Sequence, residues 1–67
     1  MQANKLFKEW YDGLPKNKGI EMRNKVIENC GISRAVFYNW YSGLTSIPVL
    51  AQKEIERIAN QEIFKQV

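Results

Sequence analysis

The chain has no histidine, one cysteine, two prolines and four glycines in 67 residues, and each shortage removes a class of protein. Without histidine and with Cys30 alone, a Cys/His zinc site cannot be assembled and no internal disulfide can close. Catalysis loses its commonest general base as well. No pair of buried carboxylates can be placed, no glycine-rich phosphate loop is present, and Cys30 falls on an apolar helical stripe with no base beside it. The expectation is therefore no enzyme, no metal, no cofactor and no small-molecule substrate, with Cys30 a small core residue. No apolar run approaches the roughly 18 residues of a membrane span, and the opening MQANKLFKEW lacks the apolar core of a signal peptide. A cytoplasmic protein with no membrane partner is expected.

What remains is a globular composition: 45% hydrophobic and 25% charged residues, too apolar for a disordered chain. The length allows one domain, residues 1–67, with one small core, since a chain of this size buries only about 60% of its unfolded surface. Ten Lys and Arg against seven Asp and Glu give +3 and a pI near 9.2. Such a charge suits a polyanionic partner and a plain basic surface equally.

Apolar periodicity places the helices. Leu6, Phe7, Trp10, Tyr11 and Leu14 recur at helical spacing after Asn4, a natural N-cap, and predict a first helix ending near Gly13. LPKNKG then reads as a basic loop carrying Lys16 and Lys18. A second helix is predicted from Ile20, with Glu21 favourably placed in its first turn and Met22, Val26, Ile27 and Cys30 facing inward. Gly31 ends it, because glycine enters the left-handed region without steric cost. Ser33 caps a third helix whose stripe is Phe37, Trp40 and Leu44, edged by Val36 and Tyr41, and Gly43 stops it. A fourth helix follows, capped by Ser46 or Ile47, with Pro48 in its first turn and Leu50, Ala51, Ile55, Ile58 and Ala59 buried. Ile63, Phe64 and Val67 either continue that helix or form a fifth. No stretch alternates with period two, so the fold class is all-α, compact, with four or five helices.

Two helices joined by a tight glycine turn, the second capped by a small hydroxyl residue, is the helix-turn-helix pattern, here about residues 20–43. GISRAVFYNWYSG resembles the GVSRSTISRWERG pattern of the lambda-repressor-like (Xre or Cro/C1 type) DNA-binding domains, with Gly31, Ser33, Arg34, Trp40 and Gly43 at matching places. Pro48 also stands where that family often opens its fourth helix. Three departures are visible: Ile27 replaces the usual Ala between the helices, Arg23 stands where the family often has Gln, and the apolar spacing after Pro48 is about two residues longer.

The resemblance implies a module that binds double-stranded DNA and reads its sequence in the major groove with helix 33–42, in a small bacterial or phage transcriptional regulator. The base-reading residues it implies are Ser33, Arg34, Ala35, Tyr38 and Asn39. Arg34 suits guanine O6 and N7, Asn39 suits adenine N6 and N7, and Ala35 a thymine methyl. Phosphate contacts fall to Arg23, Lys16, Lys18, Thr45, Ser46 and the backbone N–H groups opening the fourth helix. So few contacts would bind weakly as a monomer, which favours a homodimer seamed by Ile63, Phe64 and Val67; the same residues could instead fold back onto the first helix. The alternative function is a protein-interaction module that keeps the fold without reading DNA.

Overall fold

A computed structural model describes residues 2–64, so Val67 of the suggested seam lies outside the described residues. Among them are four helices, α1 (Gln2–Asp12), α2 (Lys16–Cys30), α3 (Arg34–Ser42) and α4 (Val49–Ala59), and no strand.

The apolar stripe of α1 lies where its spacing places it: Phe7 is fully buried, and Leu6, Trp10 and Tyr11 pack around the same core. Asn4 is not its cap. The helix starts two residues earlier, and Asn4 is a buried interior residue whose Nδ2 donates to the carbonyls of Trp40 at 2.9 Å and Thr45 at 2.8 Å. Two carbonyl partners far along the chain outweigh one local cap.

The expected basic loop is helix. Pro15 occupies the N-cap with φ −57° and ψ 152°, an angle its ring fixes in advance, and its carbonyl accepts the Gly19 N–H at 2.7 Å. Lys16 and Lys18 therefore sit in the first turn of α2, and Glu21 lies beyond it. Gly19 is buried in this helix because the Tyr11 ring packs over it.

Gly31 ends α2 at φ 67° and Gly43 ends α3 at φ 85°, both left-handed, while Ser33 caps α3 by accepting the Val36 N–H on its hydroxyl at 3.2 Å. These three local expectations hold. The stripe of α3 is shorter than expected: Phe37 and Trp40 are buried, but Leu44 lies past the glycine and is 73% exposed.

Pro48 is the N-cap of α4 and not part of its first turn, and neither Ser46 nor Ile47 supplies a side-chain cap. With Val49 as first residue, Ala51, Ile55 and Ile58 fall on one stripe and Leu50 falls off it, 81% exposed. Asn60 closes the helix at φ 58°. Residues 61–64 neither extend α4 nor form a further helix. They run back across the core under a clamp, in which the Glu56 carboxylate accepts the backbone N–H groups of Ile63 and Phe64, each at 2.9 Å.

Helix α1 packs on α3, and α2 packs on both α3 and α4. Phe7, Val26, Phe37, Trp40, Ile47, Ile55, Ile63 and Phe64 form the shared core. Phe64 lies parallel to Phe7 at 6.4 Å. Ile63 and Phe64 are thus buried inside the chain, with Phe64 against Phe7 of α1, which is the fold-back that the sequence offered beside the homodimer seam. Ile27, where the resembled family has Ala, is half-buried and packs on the same core.

Candidate nucleic-acid interface

Helix α3 is nine residues long, so its axis spans about 14 Å. Phe37 and Trp40 anchor it from below, and Val36 and Tyr41 lie at the waterline. Those four fix its roll. Ser33, Arg34, Ala35 and Tyr38 are left exposed, and Asn39 half-exposed. All five sequence-predicted base readers are consequently accessible, though on unequal terms.

Arg34 and the Asn39 amide make no side-chain hydrogen bond among the described residues. Ser33 is partly committed, since its hydroxyl holds the cap. Tyr38 is committed further: its hydroxyl accepts from Arg23 Nη1 at 3.2 Å, and its ring meets those of Phe37 and Tyr41 edge-on at 5.2 and 6.3 Å.

The expected phosphate-binding residues divide in the same way. Lys16 and Arg23 are seven residues apart on α2 and share one face, running towards Tyr38, whereas Lys18 is turned well away from that face by the 3.6-residue period. Thr45 and Ser46 lie past the C-terminal end of α3 with exposed side chains. The Thr45 N–H is taken by the Asn39 carbonyl at 3.4 Å, and the N-terminus of α4 is flanked by exposed Val49 and Leu50. This end of the surface is more apolar than the sequence suggested.

Arg23 is the most constrained cation. Beyond Tyr38, its Nη2 donates to Asn24 Oδ1 at 3.4 Å, and its buried Nε has no acceptor among the described residues. Beside this pair stands Tyr11, whose hydroxyl is pushed above its ordinary value by burial and by the neighbouring Tyr38 phenol, while Arg23 pulls the other way.

A second cluster, not foreseen from the sequence, pins α1 to α3. Tyr41 Oη donates to Asp12 Oδ1 at 2.6 Å, and Lys8 Nζ pairs with Asp12 Oδ2 at 3.0 Å while lying 5.0 Å above the Tyr41 ring. The Tyr41 hydrogen bond, then Lys8, holds the Asp12 carboxyl below its ordinary 3.8. Lys8 and Asp12 are an i, i+4 pair, so that half was legible in principle. Tyr41 is 29 residues away.

Cys30, Ile32, Trp40, Pro48, Leu50 and Ala51, with Asn29 and Glu54 as polar members, line a groove of about 500 Å³. Burial, then Glu54 nearby, pushes the Cys30 thiol above its ordinary value, opposite to an activated nucleophile. Among the described residues no cluster of His, Cys, Asp or Glu could hold a metal ion, and no helix is long and apolar enough to cross a membrane. Comparison with protein-family models, curated proteins and solved structures gives no match.

Proposed function

We propose that the chain is a sequence-specific DNA-binding module of lambda-repressor-like helix-turn-helix type, serving a small bacterial or phage transcriptional regulator. The observation that carries this reading is the division of labour on α3. Its packing is done by Val36, Phe37, Trp40 and Tyr41, which leaves Arg34, Ala35 and Asn39 with base-reading chemistry and little structural duty. Arg34 and Ala35 open the helix at the end that enters a major groove in this kind of docking.

Charge placement adds support. Arg34 occupies the first turn of α3 and Lys16 and Lys18 that of α2, where a positive side chain opposes the helix dipole by a few tenths of a kcal/mol. A phosphate at those helix starts is attracted by the dipole and by the positive side chain together, which offsets that cost. Lys16 and Arg23 on α2, with Thr45 and Ser46 beyond α3, then flank the reading residues as positioning contacts, while Lys18 faces away from them.

The test is selection of bound duplexes from a random pool at moderate salt, repeated with Arg34→Ala. An enriched sequence whose preference relaxes at one position in the variant is expected, with a loss of about 1–3 kcal/mol for a bidentate base contact. An Arg34→Ala variant with unchanged affinity and preference removes the base-reading assignment.

One observation favours the alternative, a protein-interaction module. Leu44, Val49 and Leu50 are 73%, 64% and 81% exposed, and Leu50 borders the groove beside Cys30 and Trp40. If the pool yields no enriched sequence while Leu50→Lys abolishes capture of a protein partner that the wild-type chain binds, that reading replaces the first.

A further inference from the structure

At the edge of α3, Arg23 of α2 bonds to Tyr38 of α3, and the Tyr11 phenol of α1, packed on the same Phe37 and Tyr41 rings as Tyr38, is near enough to feel both. Tyr38 Oη is the acceptor in its bond with Arg23 at 3.2 Å, so that bond leaves its own hydrogen to be given elsewhere. Arg23 has five N–H donors and two acceptors, Tyr38 and Asn24, among the described residues. Its Nε–H is already without one. Donors therefore exceed acceptors at this point of the surface.

Among the described residues no carboxylate pairs with Arg23 to relieve that surplus. Asp12 has both oxygens engaged, by Tyr41 and by Lys8, and Glu21 is paired with Lys25 at 3.3 Å. Lys16 adds a further positive charge on the same face of α2.

The ring positions are fixed. Tyr11 meets Phe37 at 5.3 Å and Tyr41 at 5.6 Å, both edge-on, and Tyr38 is wedged between Phe37 and Tyr41 in the same fashion. Rings used this way present hydroxyls and not stacking faces.

We propose that Tyr11, Arg23 and Tyr38 form one seat for a phosphodiester oxygen of the DNA backbone, with Tyr38 acting there and not as a reader of bases. The ligand rests on the DNA reading above, but the seat is independent of which sequence α3 prefers. Guanidinium and phenol donors suit a phosphate oxygen, which carries charge and accepts several hydrogen bonds. Arg23 also orients the Tyr38 hydroxyl before the phosphate arrives, which lowers the ordering cost of binding.

The experiment measures affinity of the full chain for a selected duplex and for a random-sequence duplex across a salt series, with Tyr38→Phe, Tyr11→Phe, Arg23→Gln and Arg23→Lys. Thermal melts of each variant confirm folding. Tyr38→Phe is expected to weaken both duplexes alike, by about tenfold for a hydrogen bond to a charged group, and to leave the selected sequence unchanged. Arg23→Gln is expected to lower the salt slope by about one, and Tyr38→Phe to leave it unchanged because no charge is lost. In the Arg23→Gln background, Tyr38→Phe is expected to cost less.

A Tyr38→Phe variant that loses affinity on the selected duplex alone, or that selects a different sequence, makes Tyr38 a base reader and overturns the seat. Wild-type affinity in both Tyr→Phe variants on both duplexes overturns it too. If the wild type selects no sequence, yet these variants still weaken the random duplex, the sequence-reading function fails and the seat stands. Binding to neither duplex overturns both. An NMR titration separates the phosphate sources. Shifts of the Arg23 and Tyr38 signals with duplex are expected, and equal shifts at the same concentration of inorganic phosphate would mark a free-phosphate site and overturn the DNA assignment.

Discussion

Single residues decide how the ends of the helices are tied down, and two of the most consequential are polar. Asn4 joins α1 to the last carbonyls of α3 and to the loop after it; Glu56 fastens the returning tail through two N–H groups. Asn4→Ala removes both side-chain hydrogen bonds that tie α1 to the end of α3 and the loop after it, and is expected to cost about 1–3 kcal/mol in urea denaturation. Glu56→Ala should lose a similar amount, about 1–3 kcal/mol, because it frees two backbone donors. Neither role was legible in the sequence: Asn4 near a chain start reads as a cap, and its partners stand 36 and 41 positions later. Gly31, Ser33 and Gly43 were legible, because their roles involve only immediate neighbours.

Among the elements, α2 departs most from its sequence reading, and the cause is physical competition at Pro15 to Gly19. Pro, Asn and Gly together suggest a turn, but proline is equally suited to a helix start, and Gly19 is retained in the helix under Tyr11. A β-carbon at Gly19 would sit 3.8 Å from the Tyr11 ring, an ordinary contact. Gly19→Ala is therefore expected to stabilise by about 0.4–1 kcal/mol, seen as a raised Tm. Gly43→Ala should do the reverse by about 1 kcal/mol, since an L side chain is strained at φ 85°.

The contact between α1 and α3 depends on pH. The Asp12 carboxyl is lowered by Tyr41 and Lys8, so its contribution is complete above the unfolded value of 3.8 and is lost as pH falls through the folded one. Wild type and Tyr41→Phe should differ in stability at neutral pH and converge below about pH 4, the ordinary range of a carboxyl. An NMR titration of Asp12 in the two proteins checks the cause.

At the scale of the molecule, a core of eight side chains holds four helices within 29 × 21 × 19 Å. Periodicity identified most of that core, and the two errors, Leu44 and Leu50, share an origin. Apolar character alone does not bury a residue; its place relative to the helix does: Leu44 lies past the glycine that ends α3, and Leu50 falls off the stripe of an α4 that starts at Val49. Of the two roles the sequence left open for Ile63 and Phe64, the fold-back onto α1 is the one the chain takes, since both complete the core of their own chain. Self-association through the tail is accordingly not expected, and Phe64→Ala should act as a core deletion, costing about 3–5 kcal/mol in urea unfolding without changing the elution volume of the folded protein.

The free side of α3 has a further consequence. Arg34 and Ala35 are exposed and enter none of the core contacts, so a library randomised at these two positions should melt within a narrow range. Tyr38, tethered to Arg23 and wedged between rings, lacks that freedom. The chain thus has a small adjustable region beside a fixed one, and descendants could diverge at the first while inheriting the second unchanged.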